Sequence, residues 1–305
     1  MLHITSLNDV QLERSWLTIG VFDGVHRGHQ AILRQLVDGA HAAGSPAAVL
    51  TFARHPAVVL GHRDLKCLTT PEERADLLGA LGVDVVITHP FNEKVAALSA
   101  IEFMKPLKDK LGLSRLLIGY DFALGKGREG NALRLAEIGH EMGYSLQVVD
   151  AVSDESGLIS STVIRKLVAV GDVADAAHML GRPYSLAGPV VHGDSRGHSI
   201  GFPTANIKVP VEKAVPAFGI YACWAVVNGE RHPAAISIGI RPTFESDHPD
   251  VRVEAYLLDF NSDLYGQTVK LEFVKRLRDE LKFPGVDALI VQIEADIQAV
   301  RDILK

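Results

Sequence analysis

Little in the chain ties it to an oxidising or membrane environment. Cysteine occurs twice in 305 residues, at Cys67 and Cys223. Two thiols so far apart make no disulfide framework, and a reducing, cytoplasmic setting is the natural expectation. No apolar run approaches the roughly 18 residues needed to span a bilayer, so no membrane partner is expected. The opening residues Met1-Leu2-His3-Ile4-Thr5-Ser6 lack the basic-then-apolar order of a signal peptide. Positive charge is not in excess: 31 Lys and Arg stand against 37 Asp and Glu, a net charge of −6. A nucleic-acid surface needs the opposite sign, and basic-aromatic stripes are also lacking, so no nucleic-acid partner is expected. Phosphorylated small molecules stay within reach, because backbone N–H groups hold them without net positive charge. Apolar material is ample, at 47% hydrophobic residues against 22% charged, which excludes a largely disordered chain. At about 100–200 residues per domain the length fits two domains or one large α/β domain. Nothing in the sequence sets the oligomeric state.

The first half alternates two textures. Short apolar runs at Leu17–Phe22, Ala47–Phe52, Val83–Ile87, Leu116–Ile118 and Leu146–Val149 read as buried strands. Between them Gln30–Ala43 and Leu133–Met142 carry helical spacing. Thr70-Pro71-Glu72-Glu73 and Ser99-Ala100-Ile101-Glu102 are helix starts. Pro106 is expected to kink or end the second of these helices early. This alternation predicts a parallel sheet wrapped by helices, with ligands at the carboxyl ends of the strands. Thr162–Leu180 reads as two short helices broken at Gly171-Asp172. After Arg182-Pro183 come short β-type runs separated by Gly, Pro and Asn, which predict an antiparallel barrel or sandwich. A last helix over Asp287–Leu304 carries Ile290, Ile293, Ile297, Val300 and Leu304 as one apolar stripe. The expected domains are 1–182 and 183–305.

Two constellations carry chemistry. The first, Gly20-Val21-Phe22-Asp23-Gly24-Val25-His26-Arg27-Gly28-His29, lies between the first strand and the first helix. Its glycines permit a tight turn and a close ligand approach, and a helix N-terminus suits phosphate. His26 and His29, three apart, share one face if both lie on the first turn, where two imidazoles can stabilise charge as a phosphorus centre is attacked. Either histidine alone reads equally as a cap or a core residue. His55, Asp121 in Gly119-Tyr120-Asp121-Phe122, the cations of Gly125-Lys126-Gly127-Arg128, and Ser161, Thr162 and Arg165 in Ile159–Arg165 are candidates to complete the pocket. Metal binding through His26 and His29 is an alternative reading, with no third protein ligand evident nearby.

The second constellation runs from His192 to Asn206. It is a glycine-rich basic loop containing Gly193 and Arg196, followed by Gly201-Phe202-Pro203-Thr204-Ala205-Asn206. On extended chain Thr204 and Asn206 point the same way. A hydroxyl and an amide oxygen are hard ligands suited to Mg²⁺ bound with ATP. Glu254 sits in the apolar run Val251–Phe260, where a carboxylate needs either a partner or a task such as accepting a hydroxyl proton.

Together the two constellations resemble the bacterial bifunctional riboflavin kinase/FMN adenylyltransferases, also called FAD synthetases. Gly20–His29 is similar to that family's nucleotidyltransferase signature and Gly201–Asn206 to its kinase signature. Glu254 with Asp263-Leu264-Tyr265-Gly266 resembles the segment of the kinase base, and Ile238–Phe244 also looks familial. Val21, Arg54, Leu124 and Ile240 depart from residues often found there in relatives. The resemblance implies a Rossmann-like α/β nucleotidyltransferase domain followed by an all-β kinase barrel with a terminal helix. It implies phosphorylation of riboflavin to FMN and adenylylation of FMN to FAD, with ATP and Mg²⁺ in both steps. The implied catalytic residues are Glu254, His26 and His29. Gly20, Phe22, Asp23, Gly24, Gly28, His55, Asp121, Ser161, Thr162 and Arg165 would line the adenylyltransferase site. Gly193, Arg196, Gly201, Phe202 and Pro203 would hold the kinase nucleotide, and Thr204 and Asn206 the metal. The competing expectations are a nucleotidyltransferase of another specificity with a non-catalytic flavin-binding barrel, and a flavin-binding module without turnover.

Overall fold

Six strands, β1 (Leu2–Ile4), β2 (Ser15–Ile19), β3 (Ala47–Phe52), β4 (Val85–His89), β5 (Leu113–Gly119) and β6 (Ser145–Val149), form one parallel sheet in the order β1-β4-β3-β2-β5-β6. The computed structural model describes residues 1–62, 64–150, 153–154, 157–193, 200–241 and 250–305. The chain groups into two compact units, Met1–Ser161 and Thr162–Lys305. In the first, α1 (Arg27–Ala42), α2 (Pro71–Ala80), α3 (Ala100–Leu111) and α4 (Ala132–Met142) pack on the sheet. Every residue of β3 is buried, as expected of a parallel strand covered on both faces. Leu17, Leu50, Ile87 and Leu116 join Phe103, Met104 and Leu107 in a core on one face. Val49, Val86 and Leu117 join Leu33, Leu36 and Leu78 on the other.

Strand β1 carries too short an apolar run to be read from sequence and is an addition to the expected five. Both helix starts are capping boxes. Thr70 Oγ1 accepts from the Glu73 N–H at 3.2 Å, and Glu73 accepts in return from the Thr70 N–H at 2.9 Å. Ser99 and Glu102 repeat the arrangement. Pro106 does not end its helix: α3 runs on to Leu111 and stops at Gly112, whose φ is 54°. Phe103, Met104, Leu107 and Leu111 are all buried, and their packing outweighs the roughly 3 kcal/mol cost of an internal proline. The decisive topological feature is at β2. It pairs with β3 on one side and β5 on the other, so the sheet changes its direction of growth there and a crevice opens at the carboxyl ends.

The second unit holds α5 from Thr162 onward (Ser161–Val170), α6 (Val173–Leu180), six barrel strands and a last helix. Strands β7 (Tyr184–Val191), β8 (Ala205–Ile207), β9 (Gly219–Val227), β10 (Glu230–Arg241), β11 (Asp250–Leu257) and β12 (Thr268–Arg278) close in the order β8-β11-β10-β9-β12-β7. All six pairings are antiparallel. Side chains fill the interior, where the Tyr221 and Phe273 rings meet edge to face at 5.3 Å. Helix α7 (Val286–Ile303) lies on the outer wall, with Val300 and Leu304 buried against Ala222 and Leu258. Helix α6 contacts β12 and β7, and the Ala217 N–H bonds to the Val168 carbonyl at 3.3 Å. The two helices of 162–180 therefore pack with the barrel, upstream of the texture change near residue 183.

Candidate active sites

The chain leaving β2 turns through a backbone that L residues rarely adopt. Phe22, Gly24 and Val25 have φ of 50°, 80° and 42°. Left-handed backbone at a β-branched valine is strained and persists only where surroundings enforce it. Asp23 supplies much of the enforcement. It is 1% exposed, and its carboxylate accepts from the N–H groups of Leu68 at 2.9 Å and Thr69 at 3.0 Å and from the Thr69 hydroxyl at 3.2 Å. The Gly24 N–H bonds to Thr69 Oγ1 and the Thr51 hydroxyl to the Val21 carbonyl. Asp23 is thus turned inward and braces the loop.

His26 is the N-cap of α1 and stands one position before its first turn. Its Nδ1 accepts from the His29 N–H at 3.4 Å, which leaves the proton of a neutral ring on Nε2. The His26 and His29 rings stack with centroids 3.6 Å apart and planes 21° apart. Gly28 makes room for this stack, because a Cβ there would sit 3.1 Å from the His26 ring. The Phe22 ring edge closes on His29 at 5.1 Å and lies against Gly20, where a Cβ would approach it to 2.9 Å. Burial, His26 and Arg74, in that order, hold the His29 imidazole well below its ordinary value, and its Nδ1 is buried with no hydrogen-bond partner.

The other expected residues of this site that lie in the first unit fall at the same edge or are tied to it. His55 follows β3 and caps a short helix, accepting from the Ala57 N–H at 3.1 Å. Asp121 follows β5, whose Leu117 pairs with Thr18 of β2, so its turn stands beside the crevice. The loop bearing Lys126 and Arg128 is pinned rather than flexible. The Lys126 N–H bonds to the Leu98 carbonyl at 2.7 Å, Glu129 to the Ala100 N–H at 2.8 Å, and Arg128 to the Asp121 carbonyl at 2.9 Å. Ser161 opens α5 and donates to the Asp23 carbonyl at 2.8 Å. Thr162 and Arg165 lie on the same helix, within the second compact unit.

The barrel carries its groups on the outside. Along β11, Val253, Ala255 and Leu257 are buried in the interior, while Arg252, Glu254 and Tyr256 alternate onto the outer wall. Glu254 stands directly opposite Asn206 of β8 and Ser237 of β10, and opposite residues share a face. A cavity of about 400 Å³ opens between this wall, the start of α7 and the chain joining β12 to α7. Phe202, Thr204, Ser237, Glu254 and Tyr256 line it, with Leu289 and Ile293 from the helix. Arg252 reaches Glu254 at 3.3 Å. Asn206 rests against Gly193, where a Cβ would fall 2.2 Å from its Nδ2. Gly201 has φ of 88° and turns the chain into Phe202, whose ring meets Tyr256 edge to face at 5.7 Å. Pro203 follows it. Arg196 lies outside the described residues. Asp259 is engaged elsewhere, in a two-point pair with Arg301 at 2.8 Å.

Several residues at these sites carried no sequence signal. Arg74 reads as one more charge on a capped helix, yet it is 3% exposed. Ser237 could have been suspected as the polar member of Ile236-Ser237-Ile238. Arg278 and Asp296, joined at 2.6 Å beside the cavity, lie too far apart in sequence to be paired by inspection.

A phosphate-ready helix terminus at a sheet crevice and a carboxylate beside hydroxyl and amide oxygens on a barrel wall define a two-site transferase of phosphorylated groups. Comparison with known proteins specifies which kind. Residues 9–163 match the family model described as FAD synthetase, and residues 180–304 the one described as riboflavin kinase. The bifunctional riboflavin kinase/FMN adenylyltransferase of Listeria monocytogenes is 39% identical over 93% of this chain and 91% of its own. That of Bacillus subtilis is 38% identical over 97% and 96%. A crystal structure described as a macrolide-efflux protein from Streptococcus pneumoniae superposes with a TM-score of 0.89 at 33% identity, covering 98% of both chains. No described helix of the present chain is long and apolar enough to cross a membrane. The chain belongs to the bifunctional riboflavin kinase/FMN adenylyltransferase family.

Proposed function

We infer that the chain is a bifunctional transferase of flavin biosynthesis. The barrel unit moves the γ-phosphoryl of ATP to the 5′-hydroxyl of riboflavin, giving FMN and ADP. The α/β unit joins FMN to the AMP part of a second ATP, giving FAD and pyrophosphate. The observation that carries this reading at residue level is the placement of Thr204 and Glu254 on one cavity wall, with Asn206 directly across from Glu254.

In the barrel, the cavity's volume of about 400 Å³ is in the range of small-molecule sites. Its apolar walls, Phe202, Tyr256, Leu289 and Ile293 among them, suit a flat aromatic ring. Glu254 accepts the proton of the riboflavin hydroxyl as that oxygen bonds to the γ-phosphorus and the bond to ADP breaks. The Thr204 hydroxyl and the Asn206 carboxamide fit Mg²⁺, a hard ion that binds oxygen. Gly193 leaves the Asn206 side chain its place. Among the described residues no three of His, Cys, Asp and Glu gather as a metal cluster, so nucleotide phosphates and water would complete the shell. Bound there, Mg²⁺ would neutralise charge on the β- and γ-phosphates.

In the α/β unit, no covalent intermediate is needed. A phosphate oxygen of FMN attacks the α-phosphorus of ATP, and the bond to pyrophosphate breaks. The N-terminus of α1 and the stacked histidines hold the triphosphate. The Nε2 proton of His26 and the imidazole of His29 stacked on it are the groups that take up charge as it develops. A nucleotidyltransferase with a passive barrel would leave the Glu254–Asn206 arrangement without a use.

The test is a single incubation of the protein with riboflavin, ATP and Mg²⁺, with flavins separated by chromatography. FMN followed by FAD is expected. FAD from supplied FMN with no phosphorylation of riboflavin would remove the kinase half of the reading, and the reverse result the adenylyltransferase half.

A further inference from the structure

A carboxylate sits in the inward face of the helix that roofs the barrel cavity. Asp296 is 7% exposed, and no residue of α7 ahead of it is buried. Leu289, Ile293 and Asp296 follow one another at helical spacing, and all three line the cavity. Beyond Asp296, Ile297, Val300 and Leu304 anchor the helix on Ala222 and Leu258. The amino-terminal half of α7 therefore runs out over the cavity from an anchored carboxyl-terminal half, and Gly285 offers its first turn no side-chain cap. Asp296 is gripped where the two halves meet. Arg278, the last residue of β12, donates from Nε to one of its oxygens at 2.9 Å and from Nη2 to the other at 2.6 Å. Gln292 Nε2 adds a third bond at 3.0 Å. Arg278 Nη1 also holds the Asp279 carbonyl at 2.9 Å, so one guanidinium ties the end of β12, the chain leaving it and the helix.

We propose, resting on the kinase reading, that Arg278 and Asp296 are positioning residues for riboflavin: their two-point pair fixes the tilt of α7 over the cavity and thereby sets Leu289 and Ile293 against the flavin ring.

Holding the helix down does not by itself require a charge. Replacing a buried ion pair by apolar side chains of similar volume is often neutral or stabilising, and Val300 and Leu304 already anchor α7. What apolar contact lacks is direction, since the attraction is non-directional. A bidentate Arg–carboxylate contact adds geometric specificity. Direction matters here because the pair lies at the pivot. Leu289 is seven residues from Asp296, roughly 10 Å along the axis at about 1.5 Å per residue, so a small change of tilt at the pair becomes a larger displacement at Leu289. Thr204, Asn206 and Glu254 belong to the opposite, barrel side of the site and keep their places when the helix tilts. Loss of the pair therefore acts on binding of the ring and not on the transfer step.

The experiment compares Asp296→Asn, Arg278→Lys and the double substitution Arg278→Met with Asp296→Leu against the parent chain. It reads kcat and the two KM values of riboflavin phosphorylation, riboflavin Kd from quenching of flavin fluorescence, and thermal midpoint. Asp296→Asn is expected to raise KM and Kd for riboflavin about tenfold, the low end of what a changed contact in an apolar pocket is worth. The kcat and the KM for ATP should stay at parent values, the signature of lost ground-state binding. Arg278→Lys keeps the charge but not the fork, and should raise riboflavin KM by a smaller factor. The apolar pair should recover the thermal midpoint and leave riboflavin KM raised. That separation is the decisive result: a double variant with parent-like KM would show that the pair only packs, and the proposal would fall. It would fall equally if single variants melted lower but bound riboflavin as the parent does, or if kcat dropped with riboflavin KM unmoved. If Asp296→Asn does not fold, Arg278→Lys and the apolar pair decide by the same readings. A parent chain that makes no FMN from riboflavin would instead defeat the kinase reading itself.

Discussion

The α/β unit and the barrel unit handle the same co-substrate with opposite placements of charge. In the first, ionisable groups are inside: Asp23, Arg74 and His26 are 1%, 3% and 6% exposed, each hydrogen-bonded to backbone around it. In the second, the interior is given over to Tyr221, Phe273 and their apolar neighbours. Glu254 and Arg252 stand half-buried on the outer wall, 3.3 Å apart, beneath a helix that roofs the cavity. The parallel sheet has a crevice because its strand order reverses at β2. A small closed barrel has no such opening, because side chains fill it. Its site must be assembled on the outside, with α7 as the second wall. The contrast implies that the two sites fail differently when altered.

The largest expected effect tests where the second unit begins. Helix α6 buries Val173, Met179 and Leu180 and contacts β7 and β12. At about 1.5–3 kcal/mol for each such side chain, losing the helix removes much of a typical stability of about 5–15 kcal/mol. A chain begun at Gly181 should therefore melt far below one begun at Thr162, or not fold. Equal thermal midpoints for the two would break the assignment of these helices to the barrel.

Next come the two catalytic substitutions. Glu254→Gln keeps shape and removes the base, and should lower riboflavin phosphorylation by about 10²–10⁴-fold. FAD formation from added FMN should be untouched and the thermal midpoint nearly so. A kinase rate at the parent level would remove Glu254 from the mechanism. Asp259, tied to Arg301, would be a poor substitute. His29→Ala should do the converse, costing about 10²–10³-fold in FAD formation with riboflavin phosphorylation unchanged. Equal losses in both reactions would erase the two-site distinction.

The same contrast explains what the sequence made legible. The loop after β2 is contiguous, so Gly20–His29 could be read as one phosphate-binding turn, and alternation of textures gave the parallel sheet around it. The stacking of His26 on His29 and the N-cap position of His26 were not legible. Both depend on the left-handed backbone at Phe22 and Val25, which nothing in those residue types announces. In the barrel, the apolar run Val251–Phe260 marked Glu254 as a carboxylate needing a partner or a task, while period-two alternation equally permitted a solvent-facing residue. Which face it takes, and that Asn206 stands opposite, depends on strand register, and register is a long-range property. Arg74 and the Arg278–Asp296 pair were invisible for the same reason: charged side chains are read as surface until the packing around them is known.

The smallest expected effect concerns acid. Burial holds His89 below its ordinary value, and burial with His26 and Arg74 does the same for His29. Both residues belong to the α/β unit. The ordinary imidazole value of about 6.5 applies in the unfolded chain. As pH falls through that value, the unfolded state takes up protons that the folded state refuses, so stability falls with pH. The contribution is fully present above about pH 6.5 and is lost progressively toward the lower folded values. The carboxylates with lowered values, Glu102, Asp259 and Asp302, lose their contributions only at more acidic pH, which leaves a window of about pH 6.5 to 5 for the histidines. A double substitution, His29→Gln with His89→Gln, removes both proton sites. Thermal midpoints measured across that window should slope less steeply in the variant than in the parent, whatever their absolute level. Parallel slopes would mean that neither imidazole is kept neutral by the fold, and the charge logic drawn for the α/β site would have to be rebuilt without it.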